Sequence, residues 1–194
     1  MTTTDQGTTT GAGISIDAGS PADPAPAIIP NFDDEEQAGR KMAIICSKGN
    51  LDMAYPGLII GNAALGEGVE LHLFFTFWGF DMIIKSRMGN LQFSPAGNAA
   101  MHLPGSDRHM PQAFAPAMTA MATKMLKKQI ADLGVPEVPD FLDQIVAAGG
   151  HLWACRMSAD MMKVVEADLR DDVEGIITAA DFVELTSGAQ ILFI

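Results

Sequence analysis

Two cysteines are the strongest nucleophiles in this 194-residue chain, and each closes a short apolar run: KMAIIC (41–46) ends at Cys46 and HLWAC (151–155) at Cys155. The thiolate is the reactive form of cysteine, so the residues next to each sulfur decide what it can do. Arg156 and Ser158 come directly after Cys155. A strand ending at Cys155, with a helix opening at a Ser158 N-cap, sets the sulfur against backbone N–H groups, a helix dipole and a guanidinium, all of which favour anionic sulfur. The competing reading is a small buried apolar residue, the ordinary fate of a free cysteine. Cys46 precedes Ser47, Lys48 and Gly49, a turn whose amides and ammonium suit an anion at a helix start. Cys46 is a possible second thiol or merely a core residue. Were the two strands neighbours, the sulfurs could approach; the ~4.4–6.8 Å Cα separation of a disulfide is not legible in sequence, and no bridge is assigned.

Other chemistries lack their residues. The four histidines, His72, His102, His109 and His151, have no HxxxH spacing and the chain has no CxxC, so no metal site is expected. His72 lies inside an expected strand and His151 at the start of one, the wrong end of a parallel sheet for a ligand site. Of 13 methionines, Met118, Met121 and Met125 fall on one helical stripe and read as packing. No GxxxxGK[ST] loop, GxSxG elbow or helix-opening GxGxxG occurs, so no cofactor is expected.

The elements that must position these residues emerge from hydrophobic period. Short continuous apolar runs at 41–46, 69–77, 151–155, 174–178 and 190–194 read as strands covered on both faces. Helical patterns lie at 50–68, 78–85, 117–133, 139–150, from 158, and at 179–188. Pro56 falls early in the first of these. Residues 86–116, rich in Gly, Pro, Met and His, show no period and read as a long functional or mobile loop. Repeated strand–helix alternation predicts a three-layer α/β domain, a parallel sheet of five strands with helices on both faces. In such sheets ligands bind beyond the carboxyl ends of the strands, where both cysteines fall.

Composition bounds the rest. At 48% hydrophobic residues the chain fills one core, spanning 41–194. Residues 1–40 are Thr-, Gly-, Pro- and Asp-rich and read as a disordered extension. Net charge is −12; residues 1–40 hold seven acidic and one basic side chain, leaving 17 and 11 in the domain. Without a dense basic patch, nucleic acid is not an expected partner. Lys124, Lys127 and Lys128 read as a solvated helix face, with docking of an acidic protein as the alternative. The apolar run Val69–Ile84 is broken by Glu70, His72, Gly79 and Asp81, short of the ~20 apolar residues of a membrane span. Two unpaired thiols and no signal-peptide pattern point to the cytoplasm.

MAIICSKGNLDMAYPGLIIGNAALGEGVELHLFFTFWGF (42–80), PAMTAMATKMLKK (116–128), LWACRMSADMM (152–162), EGIITAADFVEL (174–185) and ILFI (191–194) together resemble DsrE/DsrF-like proteins over 41–194. The resemblance implies a Rossmann-like or flavodoxin-like sheet, assembly as a homo-oligomer, and a persulfide or thiosulfonate carried on Cys155 in exchange with TusA-like and rhodanese-like proteins. Cys46 stands outside the family pattern. From the residues, Arg156, Ser158, Ser47, Lys48 and Gly49 are the expected anion contacts. The alternative is a non-catalytic module binding a nucleotide or acyl group at the same sheet edge.

Overall fold

The computed structural model describes residues 39–93 and 116–194. The expected extension and most of the 86–116 loop, with His102 and His109, lie outside the described residues. Five strands, β1 (Lys41–Cys46), β2 (Glu70–Phe75), β3 (His151–Cys155), β4 (Gly175–Ile177) and β5 (Gln190–Phe193), form one parallel sheet in the order β4-β3-β2-β1-β5. The helices are α1 (Leu51–Gly66), α2 (Pro116–Asp132), α3 (Val138–Ala147), α4 (Arg156–Met162) and α5 (Ala179–Leu185). This is the layered parallel α/β fold that the alternating pattern predicts.

Both sheet faces are covered, for reasons visible residue by residue. Leu71, Leu73 and Phe75 point to one face of β2, and His72 and Phe74 to the other, because strand side chains alternate. Gly57 and Gly61 let α1 settle on the first face; a Cβ at Gly61 would stand 2.9 Å from a Leu71 methyl. Phe182 of α5 stacks on Phe74 from the second face, with ring centroids 4.3 Å apart. Ile44, Leu58, Leu71, Leu73, Phe75 and Leu152 are fully buried, and each such side chain stabilises by roughly 1.5–3 kcal/mol. Pro56 lies in the second turn of α1, on its exposed side, where only one backbone N–H is forfeited.

Two local expectations change. The helix expected at 78–85 is a 3₁₀ segment, Phe77–Met82. Its backbone presses on the end of β1, where the Thr76 N–H donates to the Cys46 carbonyl at 3.0 Å. A Cβ at Gly79 would lie 2.0 Å from that same oxygen. The helix expected to open at Ser158 instead begins at Arg156, with no turn after β3.

Candidate functional site

Cys155 is the last residue of β3 and itself the N-cap of α4. An N-cap side chain sits where Ser, Thr or Asp accepts bonds from the second and third N–H groups of a helix. The Cys155 thiol makes no such bond, so those amides are open to a sulfur atom or adduct that carries negative charge. Cys155 is 4% exposed, so a reagent reaches it only through local opening. Arg156 bends back along the sheet, its Nη2 donating to the Ile176 carbonyl at 2.7 Å, while the residue as a whole remains exposed.

Ser158 is not the cap. Its hydroxyl is fully buried, accepts from the Phe77 N–H at 2.8 Å, and lies 3.1 Å from Thr76 Oγ1. That contact joins the start of α4 to the exit of β2. Phe77 there has φ 46°, a left-handed conformation that bulky residues rarely adopt. Such strain gathers at functional sites. Phe77 and Trp78 are exposed at 43% and 63%, as is Met157 at 60%. The register pairs Phe75 with Ala154, so Thr76 and Cys155 come next, side by side. Phe77 and Trp78 follow directly on the second expected strand, where a parallel sheet places its ligands, but their sequence assigns them no role; the further signal is the aromatic run FFTFWGF straddling that strand end.

The β1 exit holds the other expected contacts, differently from their expected use. Ser47 donates both its backbone N–H and its hydroxyl to the Ile194 carbonyl, each at 2.7 Å, so its donors are occupied. Gly49 passes under the next loop, where a Cβ would stand 2.3 Å from the Trp78 carbonyl. Lys48 is the exposed cation of this turn. Cys46 is buried facing α1, with Sγ 3.6 Å from where a Gly57 Cβ would be. Burial pushes its thiol up to about 12. The structure does not bring the two cysteines together. Strands β1 and β3 are not neighbours, because β2 lies between them. Two strand spacings are ~9.5 Å, beyond a disulfide's reach.

At the opposite end of the sheet, Glu70, His72 and His151 place their ligand atoms within 4.8 Å of one another. Hydrogen bonding and ring geometry argue against a shared metal ion. The Trp153 indole N–H points at His72 Nδ1 (3.2 Å), which makes that nitrogen an acceptor and leaves the Nε2–H donating to Glu70 at 2.8 Å. Metal binding through Nε2 would turn Nδ1–H against the indole N–H. The two imidazoles also stack, 4.7 Å apart and 15° from parallel, so their in-plane lone pairs cannot converge on one ion. Burial holds the His72 pKa below the ordinary histidine value, outweighing its bond to Glu70. His151 Nδ1 is paired with Glu174 at 2.5 Å.

Residues 38–194 match the model of the DsrE/DsrF/DrsH-like family. The chain is 35% identical over 146 residues to "Sulfur carrier protein DsrE2" of Allochromatium vinosum, covering 74% of this chain and 91% of that protein. It is 27% identical over 165 residues to "Uncharacterized protein YrkE" of Bacillus subtilis, covering 80% and 97%. Among solved structures, the ychN protein from E. coli aligns with a TM-score of 0.44 at 14% identity, over 80% of this chain and 99% of that one.

Proposed function

This chain belongs to the DsrE/DsrF/DrsH-like family, and on that footing we propose that it traffics sulfur, carrying a persulfide or thiosulfonate on Cys155. The observation that carries the reading is the position of Cys155 as a helix N-cap whose side chain leaves the cap bonds unmade, at the carboxyl edge of the sheet. The similarity to a protein named a sulfur carrier supports it. Burial against α1 pushes the Cys46 thiol up to about 12 and so keeps it from the thiolate form, which is why the reading places the exchange on Cys155 and not on Cys46.

The exchange needs no outside oxidant. Cys155 thiolate attacks the outer sulfur of a donor persulfide, a Cys155 S–S bond forms as the donor's S–S bond breaks, and the donor leaves as thiolate. An acceptor thiolate reverses the step. Tetrathionate loads the same sulfur, with thiosulfate leaving and a thiosulfonate-type adduct remaining. The amides opening α4, the Arg156 guanidinium and Lys48 supply positive potential for that anionic adduct. TusA-like and rhodanese-like carriers are the proposed exchange partners, in the cytoplasm. Among the described residues no helix is long and apolar enough to cross a membrane.

A ligand-binding module is the second reading, favoured by the open cleft that Asn50, Trp78, Arg87 and Asn90 line beside the β1 exit. Intact mass spectrometry separates the two. After incubation with polysulfide or tetrathionate, the protein gains sulfur or thiosulfate mass; Cys155→Ser gains none and Cys46→Ser gains the full amount. An adduct that survives Cys155→Ser overturns the carrier reading.

A further inference from the structure

The two edges of the sheet differ in chemistry. At one edge β4 has three residues and is flanked by Asp171, Asp172, Glu174 and Asp181, the short, charged design that keeps an edge from pairing. At the other, β5 has four residues, and residues 185–194 carry no charged side chain in a chain of net charge −12. Ile191 and Phe193 stand 62% and 67% exposed there.

The backbone of this edge is open in a defined pattern. The Ile194 N–H donates to the Ile45 carbonyl and the Ile194 carbonyl accepts from the Ser47 N–H, so both face β1. Alternation then turns the N–H and C=O of Leu192 inward as well, and those of Ile191 and Phe193 outward. Among the described residues no strand lies beyond β5 to receive them.

We infer that β5 pairs antiparallel with β5 of a second copy of this chain, joining the two sheets about a twofold axis through Leu192. The edge is complementary to itself. Centring the pair on Leu192 sets Ile191 opposite Phe193 of the second copy, and Phe193 opposite its Ile191. Each outward N–H then meets an outward C=O, and each β-branched side chain meets an aromatic one, a favourable cross-strand pairing. Identical patches meeting about a twofold axis make a closed interface. Charge selects the same surface: two copies at −12 repel, and 185–194 is where they can touch without setting like charges face to face. The apolar side chains Ile191 and Phe193 lie on the α5 face, in register with Ala43 and Ile45, and the pairing continues that face across the join.

Sedimentation velocity of the full chain over a dilution series tests this. A dimer is expected, weakening on dilution. Phe193→Pro removes an outward N–H while sparing the ladder to β1, and Ile191→Lys places a charge at the join; each weakens association at least ~10-fold, with circular dichroism unchanged. In a Cys46→Ser, Cys155→Ser background, Leu192→Cys sets two sulfurs on directly opposed residues with Cα atoms ~4.5 Å apart, within disulfide range, and oxidation yields a covalent dimer. That cross-link decides the matter if an edge variant proves unfolded. A monomer at every concentration, an oligomer indifferent to both edge variants, or no cross-link overturns the proposal. Sulfur loading of Cys155 is read separately by mass, so failure of one proposal leaves the other standing.

Discussion

Ser158 Oγ accepts the backbone N–H of Phe77 at 2.8 Å from a position with no solvent exposure. One hydroxyl thereby ties the first turn of the helix that Cys155 caps to the strained exit of the neighbouring strand, where Phe77 holds φ 46°.

Ser158→Ala removes that acceptor and leaves the Phe77 N–H without a partner. A loss of about 1–3 kcal/mol is expected in urea unfolding. Release of the 77–78 backbone shows as faster chymotryptic cleavage there. Unchanged stability and cleavage would mean that the bond holds nothing in place.

Gly79→Ala and Gly49→Ala put a methyl group 2.0 Å from the Cys46 carbonyl and 2.3 Å from the Trp78 carbonyl. Backbone cannot yield as a flexible side chain does, so each variant loses ~3 kcal/mol or more, or misfolds. Gly66→Ala, at the end of α1 with nothing within 4 Å, is the contrast: it gains up to ~1 kcal/mol from helix propensity. Melting curves of the three variants check the ordering.

Arg170 is 7% exposed, and its guanidinium meets Asp143 at 2.5 Å, Asp172 at 2.6 Å and the Pro139 carbonyl at 3.1 Å. Arg170→Met removes the buried member of this cluster and its bonds to carboxylates that water still reaches, and loses about 1–3 kcal/mol. Asp143→Asn loses less, because the Asp143 side chain is 67% exposed. Chemical denaturation of both variants gives the comparison.

His72 sets an acid limit. Its pKa lies below the ordinary ~6.5 because burial disfavours the cation. The unfolded chain therefore binds the proton first: the stabilisation is fully present above ~6.5 and is lost as pH falls through the folded value. Protonation also sets Nδ1–H against the Trp153 N–H, so indole fluorescence tracks the loss. Glu70, held below the usual carboxylate range first by its bond to His72, contributes in the same direction at lower pH. His72→Gln flattens stability between pH 7 and 5; an unchanged slope refutes the assignment.

Cys46, with its thiol pushed up to about 12 by burial, resists iodoacetamide at pH 8 in the folded protein and reacts once urea exposes it. Peptide mapping after pulse alkylation reads this directly. Labelling of folded Cys46 at the rate of a free thiol contradicts its burial.

Much of this protein is legible in its sequence, because period and composition are local. Apolar runs alternating with 3.6-residue stripes dictate strands and helices, and their alternation dictates a parallel sheet. The position of Cys155 at a strand end, shortly before a helix, is plain in the order HLWACRMSADMM, whereas the start of that helix directly at Arg156 is not. Which strands are neighbours is a matter of long-range pairing, and only the tertiary structure placed β2 between the two cysteines and separated them. The donors of Ser47 look free in sequence and are taken by Ile194, 147 residues away. Ser158 resembles a cap and serves as a buried acceptor for Phe77, because β3 runs into α4 with no turn between them. The open edge at β5 is likewise decided by strand order: an uncharged ILFI can be a central strand or a bare edge, and the sheet makes it the edge.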